Sequence, residues 1–460
     1  MNVYGEVTES RRGRTVLAAY GTPGLALFGT IAGATGGCRG NGLITTNDGR
    51  CYAAVGSGLY EVYSDGTSAL LGSLNTSSGP VSMAENGTTL VVVDGSYGYT
   101  LTLSTQAFAR ITSDAFYGAD KVAFLDNYLV FNRPNTQQFY LSNLAAVTFD
   151  ALDFATAEGA PDRLLSLIVH NRQLLLLGQT STEFWFDVGD PLFPLARNPS
   201  AFLETGIVAP HSVAKSQDTV VWLDGDERGN GIVWALQGYT PQRVSTFPVE
   251  YALGQYSTLS DAIGFCVELS GHTWYCLSFP TANATWVYDM TQGLWFELGY
   301  LNPTTGSLER HRMNAHAFAF GKHLLGDYAN GNVYVWDFGT YTDNTAAIRR
   351  EIQWPPLFEA NSLHRVIHTR FQADIEAGVG LDANASPGSD PQLMLSWSND
   401  GGHTWSSEHW TSAGRLGEYS ARAQWWRLGS GRDRRYKLAF SDPCKFVLLN
   451  AYVDVEGSGA

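Results

Sequence analysis

Gly58-Leu59-Tyr60-Glu61-Val62, then Tyr97-Gly98-Tyr99-Thr100-Leu101, Gln138-Phe139-Tyr140-Leu141 and Glu183-Phe184-Trp185-Phe186-Asp187, are variants of one aromatic-rich strand ending. The series continues with Ile232-Val233-Trp234-Ala235-Leu236, Thr285-Trp286-Val287-Tyr288-Asp289 and Asn332-Val333-Tyr334-Val335-Trp336. Copies fall roughly forty to fifty residues apart, the spacing of a propeller blade. The expected fold is therefore all-β: an irregular β-propeller of about six to eight blades, with a C-terminal β module. Tyr60, Trp185, Trp234 and Tyr334 are expected in four different sheets.

The rest of the chain fits short strands and tight turns. Aromatics make up 13% of the 460 residues, glycines number 49, and only 16% of residues are charged. That mix disfavours coiled coils and disordered tails. Leu90-Val91-Val92-Val93 runs into Asp94-Gly95, and Val220-Val221-Trp222-Leu223 runs into Asp224-Gly225, each an apolar strand meeting a turn dipeptide. Leu174 to Leu177 is unbroken apolar sequence, as in a strand buried on both faces. Helical periodicity is weak, and Ala145–Ala160 is the best candidate for a turn or two. The repeat fades near Thr342, Trp354-Pro355-Pro356 looks like a linker or edge, and Glu376–Asp390 like a long loop. The expected divisions are 1–37, opening strands; 38–345, propeller body; and 346–460, read either as a separate β module or as the strands that close the ring. Closure matters because open sheet edges invite pairing with other chains.

The net charge of −15 is unevenly spread: residues 1–348 carry −14 and residues 349–460 carry −1. An acidic body disfavours wrapping DNA through its phosphates, yet suits a surface past which DNA slides. The five cysteines, Cys38, Cys51, Cys266, Cys276 and Cys444, form no CxxC pair. They suggest neither a disulfide framework nor a zinc site, and reduced thiols of a cytosolic assembly site are expected. Ser10-Arg11-Arg12-Gly13-Arg14 before Thr15–Ala34 faintly resembles an export signal, but Pro23 and four glycines dilute the apolar stretch. Opening strands of the folded protein are expected there, and no segment approaches the ~18 apolar residues that span a bilayer.

Ser398, Asp400, Gly402 and Trp405 in Ser398-Asn399-Asp400-Gly401-Gly402-His403-Thr404-Trp405 fit the Asp-box pattern. In that pattern the carboxylate accepts backbone N–H groups, glycine supplies a left-handed turn and Trp packs beneath. A structural hairpin is the favoured reading. The pattern also occurs in sialidase propellers, so a carbohydrate-active or carbohydrate-binding propeller is the alternative; no paired carboxylates or anchoring arginines stand out for it. Solvent-facing Trp and Tyr would favour that alternative. His311 and His316 are expected as polar packing rather than metal ligands, and no P-loop or nucleophile elbow occurs. Catalytic, cofactor and metal residues are therefore assigned to none. Arg432, Arg434 and Arg435 form the densest basic cluster; a solvated turn and a contact with an acidic neighbour are both open readings.

The order of several segments carries a family resemblance. Cys38-Arg39-Gly40, Asn132-Arg133-Pro134-Asn135-Thr136-Gln137-Gln138-Phe139-Tyr140-Leu141-Ser142, Ser181-Thr182-Glu183-Phe184-Trp185-Phe186-Asp187 and Gly238-Tyr239-Thr240-Pro241-Gln242-Arg243-Val244-Ser245-Thr246 come first. Thr285–Asp289, Ser396–Trp405 and Gly417-Glu418-Tyr419-Ser420-Ala421-Arg422 follow. In this order the chain resembles the packaged-DNA stabilisation protein, or tail hub (nozzle), of short-tailed phages. The resemblance implies a structural protein of the virion tail, assembled in the bacterial host cytoplasm and not an enzyme. Its implied partners are further copies in a hexameric ring, the portal–adaptor protein, a tailspike or tail fibre and a tail needle or plug protein. Double-stranded DNA would pass through without specific binding. The family supplies no catalytic residues.

Overall fold

The computed structural model describes residues 1–7, 17–216, 218–226, 229–358 and 364–457. The Ser10–Arg14 segment lies outside them. Two compact units are present, one of Met1–Ala26, Leu294–Glu309 and Asp337–Ala460, the other of Leu27–Gly293 and Arg310–Trp336.

Among the described residues, the second unit is a propeller of seven blades whose successive strands pair antiparallel. Blade 1 comprises Cys38–Thr45, Cys51–Val55, Gly58–Val62 and Ser68–Ser73. Blade 2 comprises Ser82–Glu85, Thr89–Val93, Gly98–Thr102 and Ala107–Arg110, and blade 3 Val122–Leu125, Tyr128–Asn132, Gln138–Leu141 and Phe154–Thr156. Blade 4 runs through Leu164–His170, Gln173–Gly178, Thr182–Asp187 and Leu195–Leu203. Blade 5 runs through Ala214–Lys215, Val220–Gly225, Gly231–Gln237 and Thr240–Arg243. Ile263–Leu269, His272–Phe279 and Ala284–Asp289 belong to blade 6, and Met313–Ala319, Lys322–Asp327 and Asn332–Asp337 to blade 7. Tyr60, Trp185, Trp234 and Tyr334 fall in blades 1, 4, 5 and 7, four separate sheets as the repeat predicts.

The unbroken apolar runs have a direct physical cause. Side chains of a strand alternate between faces, and here each face of a blade packs on a different neighbour. In blade 2, Leu90 and Val92 enter a core shared with Tyr52, Ala54 and Leu59 of blade 1. Val91 and Val93 enter one shared with Val122, Leu129 and Phe131 of blade 3. In blade 4, Leu174 and Leu176 face blade 3 while Leu175 and Leu177 face Val220 and Trp222 of blade 5. Both faces are dry, so polar residues have no place in these strands.

The ring is closed from the N-terminal side. Cys51, Ala53 and Val55 of blade 1 share a core with Ala315, Leu324 and Val333 of blade 7. Gly24–Thr30 follows Asn332–Asp337 in the strand order of the blade 7 sheet, and Thr342–Asp343 and Ala346–Ala347 come after it. The Thr30 hydroxyl donates to Asn332 Oδ1 at 2.8 Å, and the Ile31 amide to the Gly331 carbonyl at 2.8 Å. From Arg350 on, strands form the sandwich described below. Gly29 is required at this seam, because a Cβ there would sit 2.0 Å from the carbonyl oxygen of Gly66 in blade 1.

The first unit contains a β-sandwich. One sheet is ordered Val3–Val7, Leu17–Gly21, Val447–Gly457, Val366–Ile375 and Ala423–Trp426. The other is ordered Arg350–Gln353, Asp433–Phe440, Gln392–Ser398 and His409–Ser412. Phe371 and Trp425 from the first sheet meet Leu393, Leu395, Tyr436 and Leu438 from the second. The N-terminal hairpin joins through antiparallel pairing of Ala19 with Leu448 and Tyr20 with Val447. Residues 1–37 thus divide between the sandwich and the outer strand of blade 7.

Ala145–Ala160 is a loop leading into the strand Phe154–Thr156, so the weak helical pattern there is overturned. The helix among the described residues is Phe247–Leu253, which follows Thr246 and carries proline in its first turn. No helix among the described residues is long and apolar enough to cross a membrane.

Two substitutions test this packing. Trp222 is fully buried and its indole N–H donates to the Gly206 carbonyl at 2.8 Å. Trp222→Ala should lower unfolding free energy by about 3–5 kcal/mol in denaturant titration. Gly29→Val should cost about 1–3 kcal/mol or more by overpacking the seam between blades 7 and 1.

Candidate functional site

The axis of the propeller opens at one end into a cavity of about 530 Å3, where the first strands of blades 1, 6 and 7 begin. A bulge shapes its floor. The pairing of Cys38–Thr45 with Cys51–Val55 slips between Cys38 and Leu43, and Asn41 has φ of 55°. Glycines on both sides permit this: a Cβ on Gly42 would lie 2.7 Å from the Arg39 carbonyl oxygen, and one on Gly40 2.6 Å from Ile263 Cδ1 in blade 6. The Asn41 side-chain Nδ2 donates to the carbonyl of His211, at the entry to blade 5, at 3.3 Å. Groups on opposite sides of the ring thus meet, and the axis is filled by protein at this level.

Arg39 and Arg310 lie in the wall of this mouth, both buried. The Arg39 guanidinium donates to the carbonyls of Thr76, Ser78 and Gly79 and to the Thr76 hydroxyl, at 2.5–3.2 Å. It thereby ties the loop entering blade 2 to blade 1. Arg310 stacks over Tyr328 at 3.6 Å and donates to Ser278 and Asn314. Burial lowers the pKa of both guanidiniums from the usual arginine value, though neither loses its charge near neutral pH. Arg39 organises backbone, whereas Arg310 donates through Nη1 to two side chains. Cys38-Arg39-Gly40 stood in the sequence without an assigned role, and nothing local revealed that the loop 76–79 is what Arg39 holds.

The two histidines separate. His311 is buried beside Trp336, and His316 stacks on Phe265 with its Nε2 3.2 Å from Nδ1 of His323. Burial first, then a neighbouring Arg312 or His323, depresses each pKa to about 3. No group of three or more His, Cys, Asp or Glu side chains suited to a metal occurs among the described residues. All five cysteines are free thiols.

In the sandwich, Ser398, Asp400, Gly402 and Trp405 lie between the strands Gln392–Ser398 and His409–Ser412. The Ser398 hydroxyl donates to Asp400 Oδ1 at 2.6 Å and accepts the Gly402 amide at 2.9 Å. Asp400 accepts the Thr404 amide at 2.9 Å, and Gly401 and Gly402 have φ of 76° and 98°. The Ser398 and Thr404 hydroxyls, with the Thr404 amide, hold the Asp400 carboxyl below the usual carboxylate range. Trp405 is only half-buried, with Lys437 Nζ 4.8 Å from its ring centroid. Its truncation should therefore cost less than that of the fully buried Trp222.

The basic cluster divides. Arg432 is exposed and Arg435 half-buried, but Arg434 is 1% exposed. Its guanidinium donates to the Leu428 carbonyl at 2.7 Å and to Asn399 Oδ1 at 2.9 Å, near the rings of Trp397 and Tyr436. Strand alternation turns it inward between its neighbours, a correction to reading the three arginines as one surface. Of the 13 tryptophans, Trp410 and Trp426 are exposed, both in the sandwich; those of the propeller are buried or half-buried in the blades.

Comparison with known proteins finds two family models that together cover nearly the whole chain. A family model described as "Bacteriophage P22 Gp10, beta-propeller" matches residues 2–341, and one described as "Bacteriophage P22 Gp10, beta-sandwich" matches residues 349–456. No curated protein matches the chain. Among solved structures, the extracellular domain of a putative one-component system, BT4673, from B. thetaiotaomicron is 9% identical with a TM-score of 0.45. The similarity covers 68% of this chain and 40% of that one. The N-terminal domain of Nup159 is 14% identical over 73% of this chain and 97% of that one, with a TM-score of 0.44. The Neurospora crassa Pan2 WD40 domain is 10% identical over 68% and 95%, with a TM-score of 0.44.

Arg434→Ala should destabilise the sandwich by about 1.5–3 kcal/mol, because it strands a buried carbonyl, whereas Arg432→Ala should stay within about 0.5 kcal/mol. A pH series gives a second check. The depressed histidines take up protons on unfolding, so their contribution is present above pH 6.5 and is lost as pH falls towards about 3. Melting temperature should fall across that window, with a shallower slope in His316→Phe.

Proposed function

Starting from a chain that belongs to the bacteriophage P22 Gp10 family of structural tail proteins, which stabilise packaged DNA, we propose that it is the hub, or nozzle, of a short phage tail. Copies close into a hexameric ring below the portal and its adaptor. The ring retains the packaged genome, carries tailspikes or fibres on its flank, seats a needle or plug protein and gives DNA a passage during ejection. Assembly takes place in the host cytoplasm, on the portal–adaptor complex as template.

The filled propeller axis is the observation that shapes this reading. With Asn41 hydrogen-bonded to the carbonyl at His211 and Ile263 packed on Gly40, no duplex fits through a single subunit. The passage then lies between copies, and a ring supplies it. The net charge of −14 over residues 1–348 supports sliding rather than adhesion, since duplex affinity comes mainly from neutralised phosphates. Arg432 and Arg435 remain available for contact with an acidic face of a neighbour or of the adaptor.

Negative-stain imaging of the purified chain mixed with portal–adaptor complexes tests the proposal. A ring of density beneath the adaptor is expected, weakened by Arg432→Glu/Arg435→Glu. Free chain should bind duplex DNA weakly or not at all at physiological salt. Adaptors left bare by the wild-type chain, or tight salt-resistant DNA binding, would count against the hub.

A further inference from the structure

A closed ring of identical subunits needs two different, complementary patches on each copy, and two patches of matching chemistry are present. The first lies on blades 3 and 4. The turn ending the first strand of each blade, with the loops after the third strands, encloses a cavity of about 680 Å3. Asp126, Asp153, Asp187 and Asp190 line it, against a single guanidinium, Arg172, which pairs with Asp126 at 3.0 Å. Asp187 and Asp190 each accept a backbone amide at 2.8 Å, from Gly189 and Leu192, so their positions are fixed. Burial first, then Asp187 and Asp153, pushes the phenol of Tyr128 in this wall upward.

The same rim exposes large apolar side chains. Leu192 is 87% and Leu152 81% exposed, and Leu144 and Val188 project beside them. Leu144 and Leu192 line the cavity, while Leu152 and Val188 adjoin the lining residues Asp153 and Asp187. Leucines this exposed, grouped around a concave acidic surface, mark an interaction site. A matching occupant combines apolar side chains with arginine.

The sandwich carries such a segment. In the loop 415–422, Tyr419 is 78% exposed, Leu416 is also exposed, and Arg415 and Arg422 flank them. Arg415 has only a loose 3.7 Å contact with Asp390, and Glu418 is occupied by the Arg415 amide at 3.0 Å. Arginine forks pair well with carboxylates, and Tyr with Arg is the composition of interface anchors. We propose that the acidic, leucine-rimmed cleft of blades 3 and 4 receives the Arg415–Arg422 loop of a second copy, as the head-to-tail contact of the ring. The contact rests on the hub reading above and specifies which surfaces meet.

Charge reversal tests it, with ring formation on portal–adaptor complexes as readout. Asp187→Arg/Asp190→Arg and Arg415→Asp/Arg422→Asp, each confirmed folded by an unchanged thermal melt, should separately raise the concentration needed for rings at least tenfold. An equimolar mixture should restore rings of alternating variants, since each reversed cleft then faces a reversed loop. Rings from either variant alone at the wild-type concentration, or no rescue in the mixture, would overturn the contact while leaving the hub intact. Absence of rings from the wild-type chain would sink the hub reading and this contact with it. As a second measurement, Leu192→Cys mixed with Tyr419→Cys should form an intermolecular disulfide in assembled rings; none under oxidising conditions contradicts the pairing.

Discussion

Every blade of the propeller depends on a neighbour to bury each of its faces. A four-stranded sheet with both faces apolar is not viable alone, and stacking sheets in a line would leave the two ends bare. Closing the line into a ring removes both ends at once. The closing seam is the core shared by Cys51, Ala53 and Val55 with Ala315, Leu324 and Val333, latched by the strand Gly24–Thr30. If that seam opens, the faces of blades 1 and 7 lose their partners, and the remaining cores inherit new exposed edges.

Within the closed ring, Asn41 of blade 1 reaches the carbonyl of His211 at the entry to blade 5, and the rims are left to turns and loops. The turns there are free of packing constraint, and that is where exposed leucines and aspartates gather on blades 3 and 4. Arg434 shows the distinction between frame and surface within one short run: it holds the frame, while Arg432 beside it faces solvent.

The fold was legible where physics repeats. Runs such as Leu90–Val93 and Leu174–Leu177 announce strands dry on both faces, and the recurrence of aromatic endings announces a blade period. Closure from the N-terminal side was not legible, because Gly24–Thr30 reads as any short strand and its partner lies some three hundred residues away. The best helical pattern, Ala145–Ala160, yielded to blade 3's need for the outer strand Phe154–Thr156. At the candidate surfaces, the hairpin at Ser398–Trp405 was readable because its hydrogen bonds are local. The cleft between blades 3 and 4 was not, since its aspartates come from three separate turns and loops. The inward turn of Arg434 was not legible either, because a basic run hides strand alternation.

Native-state hydrogen exchange of the whole chain tests the closure most directly. A latch that is part of the cooperative ring exchanges only through global opening. The account predicts that the amide of Ile31, bonded to Gly331, is as protected as those of Val91 and Val92 in the buried strand of blade 2. Exchange at Ile31 many orders of magnitude faster, with blades 1 and 7 still protected, would mean that the N-terminal strand frays freely and that the ring does not depend on it.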